Sequence, residues 1–229
     1  MALHAHDEVV LLLGAPGAGK GTQARVLAGL LGIPHVASGD LLREHRQRGS
    51  DLGRAAQVIM DRGDLVPDDL VVEMILERLS RPDAERGALL DGFPRTLAQA
   101  EALDSRLAER GGRVRAAVYV DVPTDVLIER LAGRWMCRSC QASFHQRFNP
   151  PARARVCDGC GGELYQRPDD RPEVVANRVN VYLRDTLPLV ERYQSRGILR
   201  RVDGNRPIET VRTSLREALG LTEVAGMPA

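Results

Sequence analysis

The sequence predicts an α/β fold, a doubly wound parallel sheet of about five strands with a phosphate-binding loop after the first strand. Three observations predict it. Short apolar runs alternate with amphipathic helical patterns, a glycine-rich segment separates the first run from the first helix, and two insertions interrupt the alternation. The 229 residues are 43% hydrophobic and 28% charged, a composition that supports a substantial core.

Each predicted strand is a short apolar run. The first is 8–13, Glu-Val-Val-Leu-Leu-Leu, and the spacing of apolar residues predicts a helix over 21–31 that Gly32 terminates. The remaining predicted strands are 34–37, 88–91, 116–120 and 198–202, and the helices after the last three are 96–110, 124–131 and 208–219. Strands that alternate with helices pair in parallel and are covered on both faces.

Two segments break this alternation. Residues 38–66 read as helices without a strand, and residues 134–170 contain four cysteines and little apolar periodicity. The chain is therefore divided into a core of residues 1–37, 67–133 and 171–229 and two insertions, which we expect at the carboxyl ends of the strands. A long helix is predicted over 172–196 with a kink at Pro188, and segments 4–7 and 224–229 read as loose tails.

Charge and hydropathy exclude some classes of function. The formal net charge is +1, whereas sequence-independent binding to nucleic acid or anionic lipid needs a basic excess. No apolar run approaches the ~20 residues that span a bilayer, and the first run lacks the features of a signal peptide. We therefore expect a cytoplasmic protein, in which four cysteines indicate a metal site more often than disulfides.

Residues 14–22, Gly-Ala-Pro-Gly-Ala-Gly-Lys-Gly-Thr, are a predicted phosphate-binding loop. Glycines let backbone N–H groups converge on phosphate oxygens, the helix N-terminus adds partial positive charge, and Lys20 reaches the β- and γ-phosphates. Lys20 is the only lysine beside 31 arginines, which indicates a site that needs a compact charge. Gly21 separates Lys20 from Thr22, so the hydroxyl that usually binds Mg²⁺ is displaced by one residue.

The cysteines form two Cys-x-x-Cys pairs, Cys137 with Cys140 and Cys157 with Cys160, separated by sixteen residues. This spacing is typical of a structural zinc site, because four thiolates leave no open position for water. His145 is not expected to be a ligand. The alternatives are two disulfides or free thiols, and iron or another soft metal could use the same ligands.

Several motifs resemble those of the adenylate kinases and the related nucleoside-monophosphate kinases. The loop at 14–22 is similar to theirs, as are Ser-Gly-Asp-Leu-Leu-Arg at 38–43 and Asp-Gly-Phe-Pro-Arg-Thr at 91–96, and the resemblance extends over about residues 8–220. Segment 134–170 resembles the zinc-bearing lid of long bacterial members. The resemblance implies a nucleoside-monophosphate-binding segment at 38–66 and a lid at 134–170 whose closure excludes water.

The resemblance also implies a reaction and its residues: a magnesium-dependent monomer that converts ATP and AMP into two ADP. The implied catalytic residues are Lys20, Arg95, Arg134, Arg167 and Arg178. The implied ATP-binding residues are Gly17, Ala18, Gly19, Lys20, Gly21, Thr22, Arg134, Ser143, Phe144 and Arg206. The implied AMP-binding residues are Ser38, Arg43, Asp64, Leu65, Val66, Gly92, Phe93, Pro94, Arg95, Gln99, Arg167 and Arg178. Asp91 would hold waters of the bound Mg²⁺, and Zn²⁺ would be structural.

Two other functions stay open at this stage. The same fold could act on UMP or CMP, although Gln99 favours adenine. A zinc-ribbon module that binds nucleic acid and also ATP is the alternative from another class, but the near-zero net charge and the three Phe, four Tyr and one Trp argue against it. We expect no nucleic acid or membrane partner. His35 and His45 are expected to pack or to face solvent, and the effect of Trp135 beside Arg134 stays open.

Overall fold

A five-stranded parallel sheet lies at the centre of the protein, in a computed structural model that describes residues 8–221. The strands in spatial order are β2 (His35–Ala37), β3 (Ala88–Asp91), β1 (Glu8–Leu13), β4 (Arg113–Asp121) and β8 (Leu199–Asp203). The connection after β1 leads to β2 at one edge of the sheet, and the connection after β3 leads to β4 on the other side of β1. The two connections therefore leave the neighbouring strands β1 and β3 in opposite directions. Ligands of such sheets bind outside the carboxyl ends at this point. The predicted fold class is confirmed, and the predicted tails 4–7 and 224–229 lie outside the described residues.

Helices pack against this sheet around one apolar core. They are α1 (Lys20–Leu31), α4 (Asp68–Leu79), α5 (Leu97–Ala108), α6 (Thr124–Ala132), α7 (Pro172–Val181), α8 (Pro188–Ser195) and α9 (Ile208–Ala218). Leu11, Leu27, Leu89 and Leu103 are fully buried in the core, and each contributes about 1.5–3 kcal/mol through burial. None of the helices within 8–221 has the length and hydropathy needed to cross a bilayer.

The sequence did not predict α4, although this helix carries Asp68, which accepts a hydrogen bond from Gln99 in the cleft. Its segment Leu-Val-Val-Glu-Met-Ile-Leu is nearly continuously apolar, a pattern that suits a strand as well as a helix. In the fold, Val71, Ile75 and Leu79 recur at helical spacing and are buried. Packing on the core therefore decides the conformation of this segment.

The predicted helix over 172–196 is not continuous. It consists of α7 and α8, joined by a π-helical turn at Tyr182–Thr186. The Leu187 N–H donates to the Tyr182 carbonyl at 2.9 Å, and Pro188, which has no N–H, begins α8. The helix is thus interrupted next to Pro188, where the sequence predicted a kink. The interruption is a π turn that ends just before the proline.

The two insertions have different architectures. Residues 38–66 contain α2 (Ser38–Gln47) and α3 (Asp51–Asp61), as predicted, and the Ser50 hydroxyl accepts the Gly53 N–H at 3.1 Å to cap α3. Residues 134–170 form an antiparallel sheet of β6 (Ser143–His145), β5 (Arg134–Cys137) and β7 (Leu164–Tyr165), which the sequence did not predict. These strands are too short to show a periodic pattern.

Candidate active site

A cleft of about 790 Å³ opens at the carboxyl ends of β1, β2 and β3. The glycine-rich loop, both insertions and α7 contribute to its wall. Nine cationic and four carboxylate side chains line it, whereas the net charge of the whole chain is only +1. The positive charge is therefore concentrated where a polyanion of nucleotide size would fit.

The glycine-rich loop forms one end of the cleft, between β1 and α1. Gly17 and Gly19 adopt φ values of 86° and 88°, a left-handed conformation that costs glycine little. The Lys20 ammonium donates to the carbonyl oxygens of Gly14 at 2.6 Å and Ala15 at 2.9 Å, which holds it against the loop. The predicted loop residues that line the cleft are Gly17, Ala18, Gly19, Lys20, Gly21 and Thr22.

The surroundings of Lys20 oppose its positive charge. Burial lowers its pKa to about 8, and the guanidinium groups of Arg95, Arg178 and Arg134 act in the same direction, while Asp91 opposes them. An anionic ligand would reverse this effect, because it favours the charged ammonium. The site is therefore suited to bind phosphate beside Lys20.

Asp91, at the end of β3, is held in its ionised form. Burial alone would raise its pKa, but the His35 ring and the Lys20 ammonium outweigh burial and keep the pKa below its ordinary value. His35 Nε2 lies 3.5 Å from Asp91 Oδ2 and lines the cleft, so His35 packs beside the site, a position that the sequence did not predict. His45, by contrast, contacts Ser50 Oγ at 3.1 Å, away from the cleft.

A second cationic site, built around Arg43 and Arg95, also lines the cleft. The Arg95 Nε donates to the Gly92 carbonyl at 2.7 Å, and the Ser38 hydroxyl donates to the same oxygen at 2.6 Å. Gly92 has a φ of 70°, and a Cβ there would lie 3.1 Å from Arg95 Nη2, so a larger residue at this position would be strained. Arg43 pairs with Asp40, and its buried Nε has no hydrogen-bond partner within residues 8–221. These guanidinium groups suit a monophosphate.

Three further arginines, Arg134, Arg167 and Arg178, line the same cleft. The Arg134 Nε donates to Asp170 Oδ2, and the Arg178 Nη1 donates to Asp170 Oδ1, both at 2.8 Å. The Asp170 side chain is 1% exposed, so a buried carboxylate orients two guanidinium groups. The buried Nε of Arg167 is without a partner in the described part of the chain, and burial together with Arg43 and Arg134 lowers the pKa of Arg167. The sequence motif Asp169-Asp170 did not by itself reveal this role.

Most of the remaining predicted residues also line the cleft. They are Asp64, Leu65, Val66, Pro94, Gln99, Ser143, Phe144 and Arg206. Phe93 is the exception, because its side chain is 1% exposed within the core and does not line the cleft. The prediction that Phe93 belongs to the AMP-binding residues therefore stays a prediction, and its side chain contributes to the core. Trp135 packs against the small core of the lid, with the Arg155 guanidinium 5.7 Å from its ring, and likewise does not line the cleft.

The four cysteines form one cluster in the lid, in which all Sγ atoms lie within 4.8 Å of one another. Cys137 and Cys160 are 3.4 Å apart at sulfur, and Cys140 and Cys157 are 3.6 Å apart. Tetrahedral zinc with ~2.3 Å Zn–S bonds places its sulfurs about 3.8 Å apart, whereas a disulfide requires ~2.05 Å. The donor set therefore fits Zn²⁺ and not disulfides. His145 is absent from the cluster, as expected; its Nδ1 accepts the N–H groups of Arg147 and Phe148.

The parallel sheet, the glycine-rich loop with its lysine and the second cationic site define a phosphate-loop nucleotide phosphotransferase. Comparison with known proteins gives the family. Residues 12–198 match the model described as adenylate kinase. The chain is 50% identical over 211 residues to an adenylate kinase of Geobacillus sp. (strain WCH70), covering 92% of this chain and 98% of that protein. It is 51% identical to the adenylate kinase of Moorella thermoacetica (92% and 97%) and 48% identical to that of Methanocella arvoryzae (91% and 97%). The chain belongs to the adenylate kinase family.

Proposed function

We propose that the protein is an ATP:AMP phosphotransferase, which transfers the γ-phosphoryl group of Mg-ATP to AMP and yields two ADP. One observation carries the proposal. A single cleft is lined both by a phosphate loop with Lys20 and by a second cationic site of Arg43 and Arg95, and Arg134, Arg167 and Arg178 line the same cleft. Two phosphorylated substrates can therefore bind with their phosphates facing each other.

The residues of the cleft suggest how the transfer proceeds. The loop N–H groups and Lys20 hold the β- and γ-phosphates, and Arg43 and Arg95 hold the phosphate of AMP. An oxygen of that phosphate bonds to the γ-phosphorus as the bond from phosphorus to the β–γ bridging oxygen breaks. Since the attacking oxygen is already anionic, no general base is needed. Arg134, Arg167 and Arg178 neutralise the charge that spreads over the transferred group.

Asp91 is the carboxylate that would serve the magnesium ion of Mg-ATP. It stays ionised beside Lys20 and His35, and it lines the cleft next to the loop. Bound Mg²⁺ neutralises charge on the β- and γ-phosphates. Asp91 would hold the waters of that ion. Thr22 carries the hydroxyl that the loop offers as a ligand for the ion.

Segment 134–170 is assigned as a lid, 38–66 as the AMP-binding segment, and 1–37, 67–133 and 171–229 as the core. Zn²⁺ on the four cysteines would supply the lid with folding energy. The lid contacts the core where Arg25 Nη2 donates to the Gln141 carbonyl at 3.0 Å and Gln166 Nε2 donates to the Ala132 carbonyl at 3.1 Å. Such a lid excludes water, which would otherwise accept the phosphoryl group.

The proposal includes a setting for the enzyme. The free, closely grouped cysteines suit the reducing conditions of the cytoplasm. The net charge of +1 gives no support for a nucleic acid partner. We infer a cytoplasmic monomer whose partners are ATP, AMP and ADP.

The test is to mix the purified protein with Mg-ATP and each of AMP, GMP, CMP and UMP, and to follow diphosphate formation. We expect rapid turnover with AMP, and loss of it in Lys20→Met and Arg95→Met. A preference for UMP or CMP would keep the fold and overturn the acceptor. If ATP binds without transfer, and single-stranded DNA binds in a salt-sensitive manner, the proposal is wrong and the zinc-ribbon alternative is right.

A further inference from the structure

The Gln99 side-chain amide makes two hydrogen bonds to other residues of the cleft region, one through each of its polar atoms. It lies on α5, is 1% exposed, and still lines the cleft. Its Oε1 accepts the Arg95 backbone N–H at 2.7 Å. Its Nε2 donates to Asp68 Oδ1, also at 2.7 Å. One Nε2 hydrogen and one Oε1 lone pair remain for a ligand.

These two partners determine which way the amide faces. The Asp68 carboxylate can only accept hydrogen bonds, and the Arg95 N–H can only donate. A flipped amide would place Oε1 against the carboxylate oxygen and Nε2 against the N–H, so that two acceptors and two donors would meet. The flipped state loses both hydrogen bonds inside a buried site, where unpaired polar groups are costly.

Asp68 is itself held in place by a second pair of contacts. The Thr96 hydroxyl donates to Asp68 Oδ2 at 2.8 Å and accepts the Gln99 backbone N–H at 3.1 Å, which caps α5. Asp68 is the first residue of α4, where the helix N-terminus favours a carboxylate. Both carboxylate oxygens are thus committed as acceptors, one to Thr96 and one to Gln99.

We propose that Asp68 is a specificity-determining residue, which fixes the Gln99 amide in the orientation that selects 6-aminopurines over 6-oxopurines; this rests on the proposed function. The 6-amino group of adenine donates and the adjacent ring nitrogens accept. A fixed Oε1 and Nε2–H complement such an edge. In a 6-oxopurine an acceptor replaces the amino donor, so it would face Oε1, and the amide cannot turn to meet it.

The probe is inosine monophosphate, which differs from AMP at position 6 of the base and in the proton on N1. Asp68→Asn replaces an acceptor-only group with an amide that can present either its oxygen or its NH₂ to Gln99. This removes one of the two contacts that fix the orientation of the Gln99 amide. We expect the ratio of kcat/KM for AMP to that for inosine monophosphate to fall about tenfold or more. The matched control is Asp69→Asn, which removes the same charge from the same turn of α4. Asp69 is exposed, and its side chain makes no hydrogen bond within residues 8–221.

The same comparison in a Gln99→Ala background tests whether Asp68 acts through Gln99. There Asp68→Asn should leave the ratio unchanged, because no amide remains to be oriented. A ratio that stays at the wild-type value in folded Asp68→Asn overturns the proposal, and so does an equal fall with and without Gln99. Thermal melting checks the fold, and Asp68→Ser, whose hydroxyl also donates or accepts, replaces Asp68→Asn if that variant does not fold.

The outcome for the wild-type protein separates this proposal from the proposed function. Wild-type protein that does not phosphorylate AMP contradicts the proposed function, whatever the Asp68 variants do. Wild-type protein that prefers AMP, together with an unchanged preference in the folded Asp68 variant, contradicts only the role of Asp68.

Discussion

Lys20 and its neighbouring arginines carry positive charges that the free protein stabilises poorly. Burial and mutual repulsion lower the pKa values of Lys20, Arg95 and Arg178. The carboxylates nearby offset only part of this repulsion. A bound polyphosphate would remove the remainder, so the electrostatic cost in the free protein becomes affinity for the substrate.

The first residue-scale prediction concerns pH. Free Lys20 has a pKa of about 8, and bound phosphate favours its protonated form, so ATP affinity should fall as the pH rises above about 8. The charged groups that face Lys20 are Asp91, Arg95, Arg134 and Arg178. Calorimetry about one pH unit above that value, in buffers of different ionisation enthalpy, should show proton uptake on binding.

Lys20→Met should bind ATP more weakly and take up no proton. Arg110→Met, an exposed change at the end of α5, should match the wild type. An affinity that does not change with pH across this range would show that Lys20 is fully protonated before ATP binds.

The second residue-scale prediction concerns Asp170. Asp170→Asn removes the negative charge that orients Arg134 and Arg178, and it leaves two buried cations without their shared partner. We expect kcat to fall about 10- to 100-fold and the free energy of unfolding to fall by about 3 kcal/mol. Steady-state kinetics and denaturant unfolding measure the two effects. Asp125→Asn, exposed on α6, should change neither, and unchanged kcat in Asp170→Asn would contradict this role.

Among the structural elements, the proposed lid has a very small apolar core. Its three strands have four, three and two residues, and its buried apolar cluster consists of Cys137, Phe144, Cys157 and Leu164. Two of these four residues, Cys137 and Cys157, are proposed zinc ligands. A core of this size cannot offset the conformational entropy of more than thirty ordered residues, so the metal must contribute to folding.

The element-scale prediction is that the double substitution of Cys137→Ser and Cys157→Ser releases zinc and lowers the melting temperature. One ligand is removed from each Cys-x-x-Cys pair, so neither pair can hold the ion alone. Metal analysis should give about one zinc per chain in the wild type and much less in the variant. Arg153→Ser, exposed in the same lid, should keep its zinc. Full zinc stoichiometry in the double variant would disprove the assignment.

For the molecule as a whole, the positive charge is unevenly distributed. The cleft is lined by nine cationic and four carboxylate side chains, but the formal net charge of the chain is only +1, so the rest of the chain carries a small excess of acidic residues. Such a distribution attracts anionic nucleotides to the cleft and gives little reason to bind a long polyanion over the rest of the surface.

The whole-molecule prediction follows from screening. The KM values for both ATP and AMP should rise several-fold between ~0.05 and ~0.5 M salt, because the attraction between cleft and nucleotide is screened. The kcat should change less, since the bound phosphates are shielded from solvent. Kinetics at constant free Mg²⁺ measures this, and equal KM values at both salt concentrations would contradict the prediction.

Short segments predicted much of the site. The loop at 14–22, the two Cys-x-x-Cys pairs and the motif 91–96 are each contiguous, and their chemistry follows from backbone geometry and ligand spacing over a few residues. Alternation of apolar runs and helices likewise predicted the sheet. Other features depended on packing against neighbouring strands and helices. Strand β4 is longer than its apolar run, and the apolar segment of α4 forms a helix.

The tertiary structure alone decided which distant residues meet. Asp68 contacts Gln99 across 31 residues, Asp170 pairs with Arg134 across 36, and His35 reaches Asp91 because β2 lies beside β3. The sequence by itself determined the fold class, and it predicted the phosphate loop, the cysteine cluster and the arginines that line the cleft. It could not determine what holds those arginines and Gln99 in place, because contacts between distant residues depend on how the helices and strands pack, and no local pattern encodes that arrangement.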